Sequence, residues 1–215
     1  MVNIKWYGHA MFSIEKNGLV IVTDPYAADM GYSFPEGLKA SVVTVSHDHF
    51  DHNNTNGLSG KFRVISDTAP LLFGPVSFEG LLTHHDESGG EERGKNIIFR
   101  WQIDDMTFTH MGDYGEKSLS SEQKQFIKHS DVLMIPVGGV FTINAEQARE
   151  IVSQVAPKIV IPMHYKTPDL KLDIGPVDNF TANADNVKNV GKSVSVDQGS
   201  LPKKQEIWVM DLFRD

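Results

Sequence analysis

The sequence predicts an α/β fold of packed layers, on two observations. Short apolar runs alternate with segments that carry helix-start signals, and a β-hairpin signature stands near the beginning of the chain. The 215 residues are 40% hydrophobic, which supplies the core such layers need. No repeat, low-complexity run or Pro/Gly-rich linker divides the chain, so one domain over 1–215 is the simplest organisation.

The hairpin lies in "MFSIEKNGLVIVTDP". Phe12 and Ile14 alternate with polar residues, Asn17-Gly18 supplies a turn in which both residues tolerate positive φ, and an apolar run follows. Further strands are expected at 42–45, 62–65, 79–83, 96–101, 106–110, 132–135, 158–161 and 206–211. Ser120 with Gln123 forms a capping box at the start of one helix, and Asn144 with Gln147 a similar one at a second. The second helix sets Ala148, Ile151, Val152 and Val155 on one face and stops at Pro157. A third helix is expected within 175–190.

Composition narrows the chemistry. A net charge of −8 and a pI near 5.5 lack the basic face of a nucleic-acid binder, so nucleic acid is disfavoured as a partner. With no cysteine, disulfides and thiolate ligands are excluded. Any metal would rest on His, Asp or Glu, which suits zinc, manganese, iron or nickel. No apolar run approaches the ~20 residues of a membrane helix, and the N-terminus lacks the pattern of a signal peptide. A cytoplasmic protein without a membrane partner is expected, with a homo-oligomer left open.

The informative stretch is "VVTVSHDHFDHNN", residues 42–54. It places His47, His49, Asp51 and His52 directly after a buried strand. His47 and His49 are two apart, so an extended loop can point both the same way. Asp51 and His52 are adjacent and diverge, so they suit a second ion better than the first ion's remaining positions. The missing ligands must come from elsewhere, and other strands also run out into His or Asp: His84 and His85, then His110 to Asp113, then His164. In α/β folds ligand sites gather where such loops converge. Taken singly, His84, His110 and His129 read as ordinary loop or helix-end residues.

"HDHFDH" has the form His-x-His-x-Asp-His and resembles the signature of the metallo-β-lactamase-fold hydrolases. The N-terminal "WYGHAMFSIEKNGLVIVTDPY" is similar to the opening of the branch containing L-ascorbate-6-phosphate lactonase-like proteins. The resemblance spans about residues 4–166. It implies a four-layer αββα sandwich with two divalent metal ions, zinc first and manganese, nickel or iron as alternatives. It implies that His47, His49 and His85 hold one ion, that Asp51, His52 and His164 hold the other, and that Asp113 bridges them. His85 is preferred to His84, which still belongs to its strand. His9 is expected at the pocket edge or just behind the ligands, with a catalytic role. Asp24 is either a carboxylate orienting a ligating histidine or the turn that ends its strand before Pro25.

The implied activity is a dinuclear metal-dependent hydrolase that uses a water shared by two ions on a small ester, lactone or phosphodiester. Asp51 is the candidate to orient that water and take its proton. For a small-molecule substrate, Arg93, Lys95 and Asn96 either grip a phosphate or carboxylate or simply form a solvated loop, the slightly favoured reading, and Tyr165 and Lys166 stand where they could donate to a substrate oxygen. Gly138 and Gly139 would let backbone approach the site or simply make a tight turn. The alternatives are an iron-dependent oxidoreductase on the same fold and a nucleic-acid-processing hydrolase. The first is disfavoured because flavodiiron-type relatives show Glu where this chain has His49.

Overall fold

A computed structural model describes residues 1–35 and 37–214. The first sheet contains β1 (Val2–Gly8), β2 (Met11–Lys16), β3 (Leu19–Thr23), β4 (Val42–Thr44), β5 (Arg63–Ile65) and the late strand β13 (Ser193–Val196), ordered β13-β1-β2-β3-β4-β5. The second contains β6 (Leu71–Phe73), β7 (Val76–His84), β8 (Lys95–Ile103), β9 (Met106–His110), β10 (Val132–Pro136), β11 (Ile159–Met163), β12 (Val187–Asn189) and β14 (Glu206–Val209), ordered β12-β14-β11-β10-β9-β8-β7-β6. The helices are α1 (Ser121–Ile127), α2 (Ala145–Val155) and α3 (Asp178–Thr181). None is long and apolar enough to cross a membrane.

One apolar cluster runs from the first sheet (Ile4, Phe12, Ile21, Val42) through the second (Phe78, Trp101, Phe108) to α2 (Ala148, Ile151, Val152, Val155). The first sheet is apolar on its other face too. Met11, Val22 and Val43 pack there against Tyr26, Met30, Tyr32 and Leu170, contributed by two long loops. Burial of both faces explains why β3 and β4 read as unbroken apolar runs rather than alternating ones.

The local signals act as their chemistry requires. Asn17 and Gly18 take φ of 51° and 81° and close the β2–β3 hairpin with Lys16 opposite Leu19. Both capping boxes form, at Ser120 and Asn144. The helix expected within 175–190 is the single turn of α3, which ends where Ala182 leaves helical geometry with φ −55° and ψ 125°. Asn183 and Asn186 beyond it adopt positive φ, which keeps the helix from resuming. Residues 187–189 then pair with β14, Val187 opposite Ile207. This exposed strand has no apolar alternation to announce it. β1, β6 and β13 likewise lie outside the strands expected from the pattern.

Two strand sets position the site. β4 is parallel to both β3 and β5, and β9, β10 and β11 are mutually parallel. Their carboxyl ends deliver the polar loops, the usual location of ligand sites in parallel sheets.

Candidate metal centre

Asp24 follows β3, and His47, His49, Asp51 and His52 follow β4. His85 follows β7, Asp113 follows β9, and His164 follows β11. The loop after β4 turns back at once, with His52 N and Asn53 N both donating to His49 O. That turn separates His47 and His49 from His52. The residues gather in two groups able to hold metal: His47, His49 and His85, and His9, His52, Asp113 and His164. Asp113 Oδ2 links them, lying 3.2 Å from His85 Nε2, 3.2 Å from His52 Nε2 and 3.1 Å from His164 Nε2.

Asp113 is held by its own neighbours. Its N–H donates to Asn96 Oδ1 at 2.9 Å. Gly112 before it has φ +55°, and an added Cβ would strike Asn96 Oδ1 and the Ser46 side chain. Only glycine lets the chain pass there. Asn96 donates in turn to Thr83 Oγ1 and Met111 O, both at 2.9 Å. It is wholly buried, so the expected place of Asn96 among substrate contacts is corrected to a support for the Asp113 backbone.

Asp24 is the hub behind both groups. Its Oδ2 accepts from His52 Nδ1–H at 2.9 Å and from Ser46 Oγ–H at 2.6 Å, and its Oδ1 accepts from Ser46 N–H at 2.8 Å. A carboxylate offers only lone pairs, so His52 carries its proton on Nδ1. The Ser46 hydroxyl has spent its proton on Asp24, so His47 Nδ1, 2.9 Å away, must donate to it. One buried carboxylate therefore turns Nε2 of His47 and of His52 toward the site, bare in His47, while in His52 burial opposes charge but Asp113 and Asp24 outweigh it and hold the pKa well above the usual value. Burial and then the neighbouring His52 push the His47 pKa down to about 3, so that ring is neutral and free to ligate. Burial also opposes charge on Asp113, but His164 and His52 outweigh it and hold the carboxyl well below the usual range.

Unmet polar atoms give the test of fit. Eight buried side-chain polar atoms lack a partner among the described residues, and six belong here: His9 Nδ1, His47 Nε2, His52 Nε2, His85 Nδ1, His164 Nδ1 and Asp113 Oδ1. Buried groups are normally paired, and a cluster of orphans is accounted for by an ion. Nitrogen and oxygen donors without sulfur suit a borderline divalent metal. The residues present fit such a site.

Of the two places expected for His9, the pocket edge and the position behind the ligands, it takes the second. It is fully buried, with ring centroids 4.1 Å from His164 and 4.9 Å from His52. Its Nε2 lies 3.2 Å from Asp51 Oδ2. Burial and then His164 push its pKa down to about 4, so it is neutral and donates to the Asp51 carboxylate. His9, Asp24 and His164 have φ of 52°, 37° and 51°, and Val140 has 66°. Such strain in His and a β-branched residue gathers at functional sites. Val140→Gly should raise stability by about 1 kcal/mol, the relieved strain less glycine's entropic cost. Thermal unfolding checks this.

The other candidates separate cleanly. His84 points away, its Nδ1 2.9 Å from Glu116 Oε1. His110 donates from Nε2 to Ala10 O and accepts from Gly112 N–H. His129 is exposed. Tyr165 is buried against Trp6, centroids 5.0 Å apart, and lines a different cavity, so its placing as a substrate contact is corrected. Lys166 Nζ donates to Leu170 O and Leu172 O and is likewise spent on backbone. Gly138 presses on the His164 carbonyl, where a Cβ would collide. Arg93 does line the cleft that His49, His85, Asp113 and His164 open onto, a space of about 430 Å³ shared with Phe50, Phe141 and Leu172. Ser46 and these three apolar residues carried no signal in the sequence beyond their closeness to a motif or a glycine pair. His85→Ala should lower metal content well below that of His84→Ala, read by elemental analysis of the two purified variants.

Comparison with known proteins agrees with this geometry. A family model described as the beta-lactamase superfamily domain matches residues 3–164. A UPF0173 metal-dependent hydrolase of Thermoplasma acidophilum is 30% identical over 197 residues, covering 79% of this chain and 87% of its own. Another, from Thermococcus kodakarensis, is 27% identical over 197 residues, covering 78% and 86%. A crystal structure from Thermotoga maritima, provisionally assigned as a Zn-dependent hydrolase of the metallo-β-lactamase superfamily, superposes with a TM-score of 0.81 at 35% identity, covering 98% of each chain. With the fold, the strand-end histidines and these likenesses in agreement, the chain belongs to the UPF0173 metal-dependent hydrolase family within the β-lactamase superfamily.

Proposed function

We propose that the protein is a dinuclear metal-dependent hydrolase acting on small esters, lactones or phosphodiesters. The observation that carries this reading is Asp113 Oδ2, within 3.2 Å of imidazoles from both ligand groups. His47, His49 and His85 would hold one ion, Asp51, His52 and His164 the other, with Asp113 between. Zinc fits this donor set best. When bound, two divalent ions supply Lewis acidity and lower the pKa of water from 15.7 to about 7.

The chain's own residues do the rest. Asp51 lines the cleft and is not sealed in, so its carboxylate can orient the attacking water and take its proton. His9 donates to Asp51 Oδ2, which leaves the other carboxylate oxygen for that water. The cleft wall is largely apolar, formed by Phe50, Phe141 and Leu172, so it excludes solvent from a bound small molecule. Such a wall favours an ester or lactone of apolar character over a sugar lactone, which would call for several hydroxyl-binding groups.

The test is a panel of aryl esters, lactones and bis-p-nitrophenyl phosphate, assayed with zinc, manganese or nickel. Metal-dependent turnover of at least one class is expected. Silence across the whole panel with a fully metal-loaded protein removes the proposal.

A further inference from the structure

Arg93 is the one Arg or Lys among the described residues lining the cleft, whose acidic members are Asp48, Asp51 and Asp113. Its guanidinium meets a single acceptor among the described residues, Glu92 Oε2 at 3.4 Å, on the surface. A guanidinium has five donors, and an exposed pair of that length holds it weakly. Most of its hydrogen-bonding capacity therefore faces open space. It lies 5.8 Å from the centroid of Phe141, within the range of a cation–π contact.

The three loops that make this wall are each braced. Asp86, next to His85, accepts from the backbone N–H of Ser88, Gly90, Glu92 and Arg93 at 2.8–3.1 Å. That carboxylate ties the loop carrying Arg93 to the strand end carrying His85. Phe141 follows Val140, whose φ of +66° makes the centre of a three-residue turn closed by Phe141 N donating to Gly139 O at 2.8 Å. That is the strained hand of the γ-turn, and it sits directly before the aromatic ring that Arg93 covers. Lys166 Nζ fixes the third loop by donating to Leu170 O at 2.7 Å and Leu172 O at 2.6 Å. Phe50, 56% exposed, also lines the cleft. With Phe141 and Leu172 it gives the cleft an apolar wall, the usual lining of a small-molecule site.

We propose that Arg93 anchors a second, non-reacting oxyanion of the substrate, while Phe50, Phe141 and Leu172 grip an apolar body between it and the reacting bond. The substrate class is thus an apolar ester, lactone or phosphodiester that also bears a carboxylate or phosphate. This rests on the hydrolase reading for which bond reacts, but the anion site stands on Arg93 and its neighbours alone.

The test is calorimetric binding to the full chain, with and without added zinc. The probes are 1,4-phenylenediacetate, its monoamide, and the analogue in which a phosphonate replaces the second carboxylate. The diacid should bind about tenfold tighter than the monoamide, the scale of a charge-assisted hydrogen bond. Arg93→Gln should erase that gap while leaving the melting temperature unchanged, and Arg93→Lys should keep part of it. Phe141→Ala should weaken all three probes together and preserve the gap. A phosphonate gain larger than the carboxylate gain supports the site and identifies its anion as phosphate; the reverse ranking supports it and identifies carboxylate. Equal binding of diacid and monoamide to the wild type, or a gap that survives in Arg93→Gln, overturns the proposal. If no ester, lactone or phosphodiester of the panel is hydrolysed yet the Arg93-dependent gap is present, the hydrolase reading falls and the anion site stands.

Discussion

Asp113→Asn is expected to reduce metal-dependent hydrolysis by about a thousandfold, ~4 kcal/mol of lost stabilisation. The size follows from position. Asp113 Oδ2 lies 3.1–3.2 Å from three imidazole Nε2 atoms drawn from both ligand groups, and the residue is buried. Asparagine keeps the shape and the backbone bond from Asp113 N to Asn96 Oδ1, so the strand end stays in place. It replaces a charged ligand shared by both groups with a neutral amide, and an uncompensated change in a buried ionic cluster costs about 3–5 kcal/mol. Elemental analysis should show metal lost from both positions. Circular dichroism should show the fold retained. Near-normal turnover in a metal-loaded Asp113→Asn would deny Asp113 its shared role.

The second large effect is at a residue placed behind the ligands rather than among them. Asp24→Asn should weaken binding at both positions by 10- to 100-fold, the range for groups that orient metal ligands. Oδ2 serves both His52 Nδ1 and Ser46 Oγ while Oδ1 serves the Ser46 N–H, so an NH2 in the Oδ2 place denies both imidazoles the tautomer with the proton on Nδ1, and one in the Oδ1 place meets the Ser46 N–H head on. Ser46→Ala is the discriminating partner. Ser46 Oγ contacts His47 and Asp24, whereas His52 Nδ1 reaches Asp24 directly, so Ser46→Ala should weaken one position and spare the other. Chelator competition reads both affinities. If Asp24→Asn disturbs a single position, the hub arrangement is wrong.

Much of the site is legible in the sequence because its core is local. The "HDHFDH" spacing brings four polar residues together whatever the rest of the chain does, and the strand before it needs only an apolar run. His85, Asp113 and His164 are readable as strand ends. What stays hidden depends on pairing between distant strands. Asp24 and His52 are brought together by the β3–β4 ladder, and before that contact is known Asp24 looks equally like a turn. His9 reads equally as a rim residue or as one behind the ligands, and only the fold decides: Trp6 Nε1 and His164 N both donate to its carbonyl and draw it inward. Asn96 and Lys166 mislead in the opposite way. Polar side chains near a ligand motif look like substrate donors, but each is consumed by buried backbone carbonyls that only the fold supplies. The same limit explains β12, whose exposed residues gain strand geometry solely from β14.

The proposed mechanism has at its core two metal positions that share Asp113 and act together. The decisive measurement is a titration of metal-free protein with zinc, following both hydrolysis of a responsive ester and bound metal per chain. Two equivalents should bind, with activity rising as the second is filled, and Asp113→Asn should show neither feature. Full activity at one equivalent, or purified protein carrying redox-active iron and no hydrolytic turnover, would contradict it.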